Sequence, residues 1–583
     1  MLKTLVASIR EYKKESILAP ACVTLESILE IIIPTLMAHL IDYGISQKNM
    51  AYVLGIGLAL VVSAAVSLLA GFGAGRYAAI ASSGFAKNLR HDMFYNVQKF
   101  SFSNIDKFST AGIITRLTTD VTNIQNAYQM LIRVAVRAPM MIVFALIFSF
   151  RIDAHLSLIF LGTIPVLGLG LWLIMSRVHP IFMRVFKTYD RLNSVVEENL
   201  HGIRVVKSYT REEYEMQKFA GISQTIFQDF SKAEKRLAFN MPLMQCCLYA
   251  SMLLLSWFGA KQIIASGNNP SIGLSTGELT SLITYAMQIL MSLMMLSMVF
   301  VMIIISRASA ERIVEILHEE SDLKNGENPV YTVKDGSIRF ENVTFAYAQK
   351  ADKPVLDRIN LSIESGEVVG ILGGTGSSKS SLVQLIPRLY DVVSGRVSVG
   401  GVDVRDYDIT SLRNQVAMVL QKNVLFSGTI KENLRWGNES ATEEEMMHAC
   451  KIAQADGFVR EFPAQYDTYI EQGGTNLSGG QKQRLCIART LLKKPKILIL
   501  DDSTSAVDTR TDALIRQALR NELPNTTKII IAQRVTSVQD ADKIVVLDDG
   551  KINAVGTHAE LLQSCAIYRE VYESQNKGGM LHE

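Results

Sequence analysis

The sequence has no clustered basic excess, no C-x-x-C cysteine pair, and almost no charge across long stretches of its first half. Each absence excludes something. Fifty-nine Lys and Arg against 56 Asp and Glu leave a net charge of +3, so the electrostatic footprint of a nucleic-acid binder is missing. The six cysteines show no metal-ligand spacing, and adjacent Cys246 and Cys247 lie in an apolar run where small core residues are expected. Met1–Ser16 carries Arg10, Glu11, Lys13 and Lys14 and has no long apolar centre, so it is not expected to be a cleavable signal. An apolar share of 48% excludes a disordered chain. At 583 residues the length suggests about four domain-sized units.

What is present divides the chain near Arg307. Five runs lack Asp, Glu, Lys and Arg: Ala51–Gly75, Ala138–Phe150, Leu156–Ser176, Leu237–Ala260 and Leu279–Ser306. All but the second are long enough to cross roughly 30 Å of hydrocarbon, and that one extends backward if Arg133 and Arg137 face protein or the interface. Ile17–Ile41, apolar apart from Glu26, Glu30 and His39, completes six spans. Leu2, Leu5, Val6 and Ile9 share a helical face, which predicts a short interfacial helix ahead of them. The connections Gly44–Met50 and Ser266–Gly277 are nearly free of Lys and Arg, whereas Arg76–Arg116 and Arg177–Arg236 are long and basic. The positive-inside bias therefore places the long connections and both termini in the cytoplasm. Both long segments read as helical, so membrane helices are expected to continue into the cytosol.

Beyond the charged segment Ala308–Gly336 the pattern becomes alternating strand and helix, that of an α/β domain. Val368–Leu372 is a strand leading into Gly373, Gly374, Thr375, Gly376, Ser377, Ser378, Lys379, Ser380 and Ser381, followed by an apolar helix. This is a phosphate cradle: backbone N–H groups and a helix N-terminus hold the anion, the lysine reaches the outer phosphates, and the Ser380 hydroxyl suits Mg²⁺. A second strand, Ile497–Leu500, ends in Asp501 and Asp502, the first of which can hold the same ion. Between these motifs, just before a helix, stands Asn476 followed by Leu477, Ser478, Gly479, Gly480 and Gln481.

That combination resembles the ATP-binding cassette (ABC) family, and the resemblance covers essentially the whole chain. It implies a six-span α-helical transmembrane domain of the exporter type over 1–306, a linker over 307–336, and an α/β nucleotide-binding domain over 337–583. Tyr347 resembles the adenine-stacking aromatic, Gln421 the glutamine linking γ-phosphate and metal to the membrane helices, and Ser505–Asp508 the D-loop. Ser103–Thr110 and Gly202–Glu212 stand where the family places its coupling helices. ATP and Mg²⁺ are the implied cofactors, with Ser380, Gln421 and Asp501 around the metal. Membrane lipid and a small hydrophobic or amphipathic substrate are the implied partners.

The sequence departs from the family at two catalytic positions and at one position of the phosphate loop. The catalytic glutamate is replaced by Asp502, one methylene shorter, which should misplace a base that must reach within about 2.6–3.2 Å. The family's histidine after the D-loop is replaced by Gln533, with no histidine between His448 and His558. Neutral drift at both is one explanation. The other is a site that binds ATP and hydrolyses it poorly, as in the impaired-site subunits of bacterial heterodimeric exporters, with a homologous half-transporter supplying the competent groups. Ser378 replaces a glycine of the phosphate loop, with either weakened or tolerated binding as its consequence. Met291, Met295 and Met298 in the last span suit an adaptable pocket, or else they pack or face lipid. Glu26 and Glu30 suit a cavity for cationic cargo, or else pair with Arg133 or Arg137. A multi-pass exporter in the bacterial cytoplasmic membrane is the leading expectation. A lipid or peptide exporter of the same build, or a non-transporting sensor, is the alternative.

Overall fold

Long apolar helices account for the first half of the chain. A computed structural model describes residues 1–268, 273–347 and 353–579; residues 269–272, 348–352 and 580–583 lie outside the described residues. Among the described residues, eleven α-helices carry most of the first 318: α1 (Leu2–Ala7), α2 (Lys13–His39), α3 (Met50–Val97), α4 (Phe102–Phe108), α5 (Thr110–Thr115), α6 (Val121–Ile152), α7 (Ala154–His201), α8 (Ile203–Ser208), α9 (Glu212–Leu237), α10 (Asn240–Ser266) and α11 (Thr276–His318). Six stretches among the described residues are long and apolar enough to span a membrane: Arg10–Ile45, Met50–Val97, Thr110–Ile152, Ala154–His201, Glu212–Ser266 and Thr276–His318. The 48-residue helices α3 and α7 are about 72 Å long at 1.5 Å per residue, more than twice the hydrocarbon thickness. Their polar portions therefore stand outside the membrane as continuous helix.

The first span carries Pro20 and Pro34 within α2; the Glu30 carbonyl, four residues before Pro34 and so left without its helical donor, accepts from Gln288 Nε2 of α11 at 3.4 Å. The Ser281 hydroxyl donates to the Pro34 carbonyl at 2.6 Å, and the buried Tyr285 hydroxyl donates to Ile31 at 2.9 Å. At one end of the bundle, buried Asp42 accepts from the Gly277 N–H and the Ser275 hydroxyl, capping α11. At the other end Asp120 accepts from Ser309 at 2.8 Å and from the Arg312 guanidinium. α1 ends before Ile9, shorter than the apolar pattern predicts, and a 3-10 turn follows at Arg10–Tyr12. Leu5 is buried, while Leu2 and Val6 are exposed.

The chain divides into two compact units. One comprises residues 1–98 and 110–319, the other 99–109 and 320–583. The second contains a four-stranded antiparallel sheet ordered β2-β1-β4-β5, from β1 (Ile338–Phe345), β2 (Leu356–Ile363), β4 (Ser394–Val399) and β5 (Val402–Asp403). Its central sheet is ordered β12-β11-β3-β10-β9-β6, from β3 (Val368–Gly373), β6 (Val416–Val419), β9 (Ile497–Asp501), β10 (Thr527–Ile531), β11 (Lys543–Asp548) and β12 (Lys551–Gly556). All its pairings are parallel except the β11–β12 edge. A short pair, β7 (Gly428–Thr429) and β8 (Tyr469–Ile470), lies apart. β3, β9 and β10 are almost wholly buried, as parallel strands covered on both faces require. One core (Phe340, Ile359, Val397, Ile371, Ile499) joins the two sheets, and a second (Leu372, Leu498, Leu485, Ile515) joins the other face to helices.

Candidate nucleotide site and membrane charges

The parallel register builds the nucleotide site. Ile531 on β10 pairs with Ile371 on β3 and with Asp501 on β9, so the strand ends that carry the glycine loop and the two aspartates lie side by side. Ligands of open α/β sheets bind at this carboxyl edge. After β3 the chain turns through Gly376 (φ 83°) and Ser378 (φ 69°) into helix α12 (Lys379–Gln384). Ser378 thus occupies the left-handed region, which explains why a glycine suits this position and what the serine costs. The Lys379 ammonium curls back to the carbonyls of Gly373 (2.9 Å) and Gly374 (2.8 Å) and to the Ser377 hydroxyl (3.3 Å). The Ser380 hydroxyl donates to Asp501 Oδ1 at 3.0 Å.

Asp501 is 2% exposed. Burial pushes its carboxyl above the ordinary aspartate range, against the pull of the Ser380 hydroxyl and the Lys379 charge. Burial likewise raises Asp502 and lowers Lys379. A hydroxyl and a buried carboxylate in contact, with Gln421 nearby on the Asp502 carboxylate, are hard oxygen donors of the kind Mg²⁺ takes.

Asp502 follows β9 in a left-handed conformation (φ 48°), held by its N–H to Ile531 at 3.0 Å. Its Oδ2 accepts from Gln533 Nε2 at 2.9 Å. The two catalytic positions that depart from the family are therefore bonded to each other. Gln575, in the last helix, donates to the Gln533 carbonyl at 2.8 Å and accepts from the Val535 N–H. Sequence reading missed that brace, since nothing in the local pattern links residues 42 positions apart.

Tyr347 is half exposed, and its hydroxyl shares a 2.8 Å hydrogen bond with Ser381. Its ring meets Tyr390 edge-on at 5.1 Å, and the Tyr390 hydroxyl donates to Asp106 of α4 at 2.9 Å. Phe102 of α4 lies 6.0 Å from the same ring. Tyr390 is a second residue the sequence reading missed; it connects the aromatic beside the phosphate loop to a segment that belongs, in sequence, to the membrane half.

Leu477 is buried and Ser478 caps the helix Gly479–Leu491, accepting from the Gln481 N–H at 3.3 Å while Gln481 Oε1 accepts from the Ser478 N–H at 2.9 Å. Asp508 caps the helix Thr509–Glu522 through the Thr511 N–H at 2.9 Å. Gln483 fastens the two motifs together, accepting from Ala506 N–H at 3.0 Å. Among the described residues no hydrogen bond or ion pair links 373–381 to 477–481.

In the membrane unit, Arg137 bridges both acids: Nη1 to Glu26 at 2.7 Å, Nη2 to Glu30 at 2.6 Å. Of the two arginines named as competing partners, Arg137 takes both glutamates. Met291 and Met298 are each 61% exposed, Met295 40%, and they recur on one side of α11.

These features place the chain in a defined class. Residues 16–313 match the family described as the ABC transporter transmembrane region, and residues 356–505 match that described as ABC transporter. The chain belongs to the ABC transporter family. It is 37% identical over 550 residues to the ABC transporter ATP-binding protein YfiB of Bacillus subtilis, covering 94% of each chain. It is 35% identical over 581 residues to an ABC transporter ATP-binding protein of Mycobacterium tuberculosis, covering 99% of this chain and 98% of the other. A bacterial Atm1-family ABC exporter solved with ATP bound shares its fold, with a TM-score of 0.81 and 24% identity across 97% of this chain and 99% of that one. The chain is therefore a multi-pass ABC half-transporter of exporter fold whose cassette couples ATP to transport.

Proposed function

We propose that this chain is the impaired-site subunit of a heterodimeric exporter that moves a hydrophobic or amphipathic compound out of the cell by alternating access. The carrying observation is the contrast inside one cassette. The cradle of Lys379, Ser380 and Asp501 is complete, while the positions expected to orient and activate water hold Asp502 and Gln533, bonded to each other. Tyr347 would stack the adenine, and Gln421 would join Ser380 and Asp501 around Mg²⁺, which when bound would neutralise phosphate charge.

The signature, Leu477–Gln481, has every residue of its motif and, among the described residues, no hydrogen bond or ion pair to its own chain's phosphate loop. Such an arrangement suits a site completed by two chains, with this signature facing the partner's nucleotide. A homodimer would repeat the impairment in both sites; a partner with glutamate and histidine at the equivalent positions removes it. The positive-inside bias of the long basic connections supports a cassette and both termini on the cytoplasmic side of the cell membrane.

The test is ATP-dependent, vanadate-sensitive uptake into inside-out vesicles containing this chain and the half-transporter that co-purifies with it. Uptake that requires both chains is expected. Uptake by this chain alone, or ATP binding without any uptake across hydrophobic probes of varied charge, contradicts the proposal.

A further inference from the structure

The membrane unit holds four charges in or beside its first and third spans, one buried and three partly exposed, and they are not equally matched. Glu26 and Glu30 both go to Arg137. Arg133, one helical turn along α6, has no carboxylate partner among the described residues, and neither Gln129 nor Asn126 has a side-chain partner there. The acids suspected of attracting cationic cargo are thus occupied, and the unmatched charge is positive.

Helical geometry says where that charge lies. The packed sides of α6 are marked by Ile124, Ala127, Ala138, Met141 and Ala145, and by Ile132 against Ala19 and Ala78. At roughly 100° per residue, Asn126, Gln129 and Arg133 fall on the other side, with Arg137 at the boundary reaching the glutamates of α2. An arginine facing lipid tails would be costly, so intramembrane arginines face protein or a water-filled cavity. Arg133 precedes Arg151, at the outer end of the same helix, by eighteen residues, about 27 Å. It therefore stands near the inner boundary of the hydrocarbon.

The helix pairing sets what shares that depth. Asn123 of α6 bonds to both Ser306 and Ser309 of α11, and Asp120 bonds to Ser309 and Arg312, so the two helices run antiparallel. Ten residues outward from Asn123 is Arg133; ten outward from Ser306 is Leu296. Arg133 is level with the exposed Met295 and Met298. A fixed cation with amide donors beside it, at the depth of flexible thioethers, matches a ligand with an anionic head and an apolar tail.

We propose that Arg133, with Gln129 and Asn126 on its face and Met295 and Met298 at its depth, forms a binding site for the anionic headgroup of an amphipathic substrate. This rests on the exporter reading and specifies the substrate's charge. Equilibrium binding without ATP tests it independently of transport, using the assembled transporter in phosphatidylcholine nanodiscs. The probes are dodecyl phosphate and, with the same tail, dodecyltrimethylammonium. Dodecyl phosphate should bind more tightly. Arg133→Gln should weaken it about tenfold, the usual worth of a charge-assisted hydrogen bond, whereas Arg133→Lys should retain most of the affinity. Glu26→Gln, which releases part of Arg137, should strengthen it. Equal affinity for the two probes, an unchanged dodecyl phosphate affinity in Arg133→Gln, or displacement of dodecyl phosphate by an equal concentration of inorganic phosphate would each overturn the proposal.

Discussion

The proposed impairment turns on one methylene and one ring, at Asp502 and Gln533. An aspartate arm held at a left-handed backbone position and bonded to a glutamine amide at 2.9 Å lacks the reach of a glutamate and the proton chemistry of an imidazole. Because a positioned general base contributes about 10²–10⁴-fold, the double variant Asp502→Glu with Gln533→His should raise hydrolysis at this chain's site at least tenfold. Single-turnover measurement with nucleotide trapped on this cassette checks it, and a rate no higher than that of the unaltered site contradicts it. Asp501 carries a pH consequence. Its carboxyl is raised by burial, so as pH falls it takes up its proton sooner than an exposed aspartate and loses the charge that Mg²⁺ needs. Mg-ATP affinity should decline from neutral toward acid pH, beginning above the ordinary aspartate range. Nucleotide affinity measured calorimetrically in EDTA should lack that slope.

At the scale of elements, the contact between α2 and α6 is governed by the ion triad. All three side chains are under a third exposed, and removing one partner of a buried pair leaves an uncompensated charge. Arg137→Gln should destabilise the membrane unit by about 3–5 kcal/mol. The triple variant Glu26→Gln, Glu30→Gln, Arg137→Gln should lose much less, because no charge remains unmatched. Thermal unfolding in detergent distinguishes them; equal losses would mean that packing, not charge, holds the helices. The triad also shows what periodicity alone leaves open. Two arginines one turn apart on α6 were equal candidates for the two glutamates, and which pairing forms depends on the rotation of α6 against α2.

For the whole molecule, the two-chain reading makes an asymmetric demand. Asp502→Ala should reduce ATP hydrolysis of the assembled transporter by less than about threefold, since a site lacking its base has little rate to lose. A negative charge in the signature should act on the partner's site instead. Gly480 is a poor place for it, because a Cβ there would sit 2.8 Å from the Ala506 carbonyl and confuse packing with charge. At Gly479 the nearest atom is 3.4 Å away, and an acid in the first turn of a helix is tolerated. Gly479→Asp should therefore leave the fold intact and abolish most hydrolysis by repelling γ-phosphate in a water-poor interface. If Asp502→Ala proves as damaging as Gly479→Asp in steady-state assays, the heterodimer reading fails.

Six spans, an α/β cassette and the order of its motifs follow from the sequence by itself, because uncharged runs of membrane length and a strand–glycine loop–lysine–helix succession are local patterns with few structural solutions. The absence of glutamate and histidine from their family positions is equally local. Tertiary structure alone decided the rest. The bond between Asp502 and Gln533, the Gln575 brace, the path from Tyr347 through Tyr390 to Asp106, and the capture of both membrane glutamates by Arg137 join residues 31 to 284 positions apart. Strand register and helix rotation bring them together, and neither is written in any window of neighbouring residues, because each is set by how whole buried faces pack against one another.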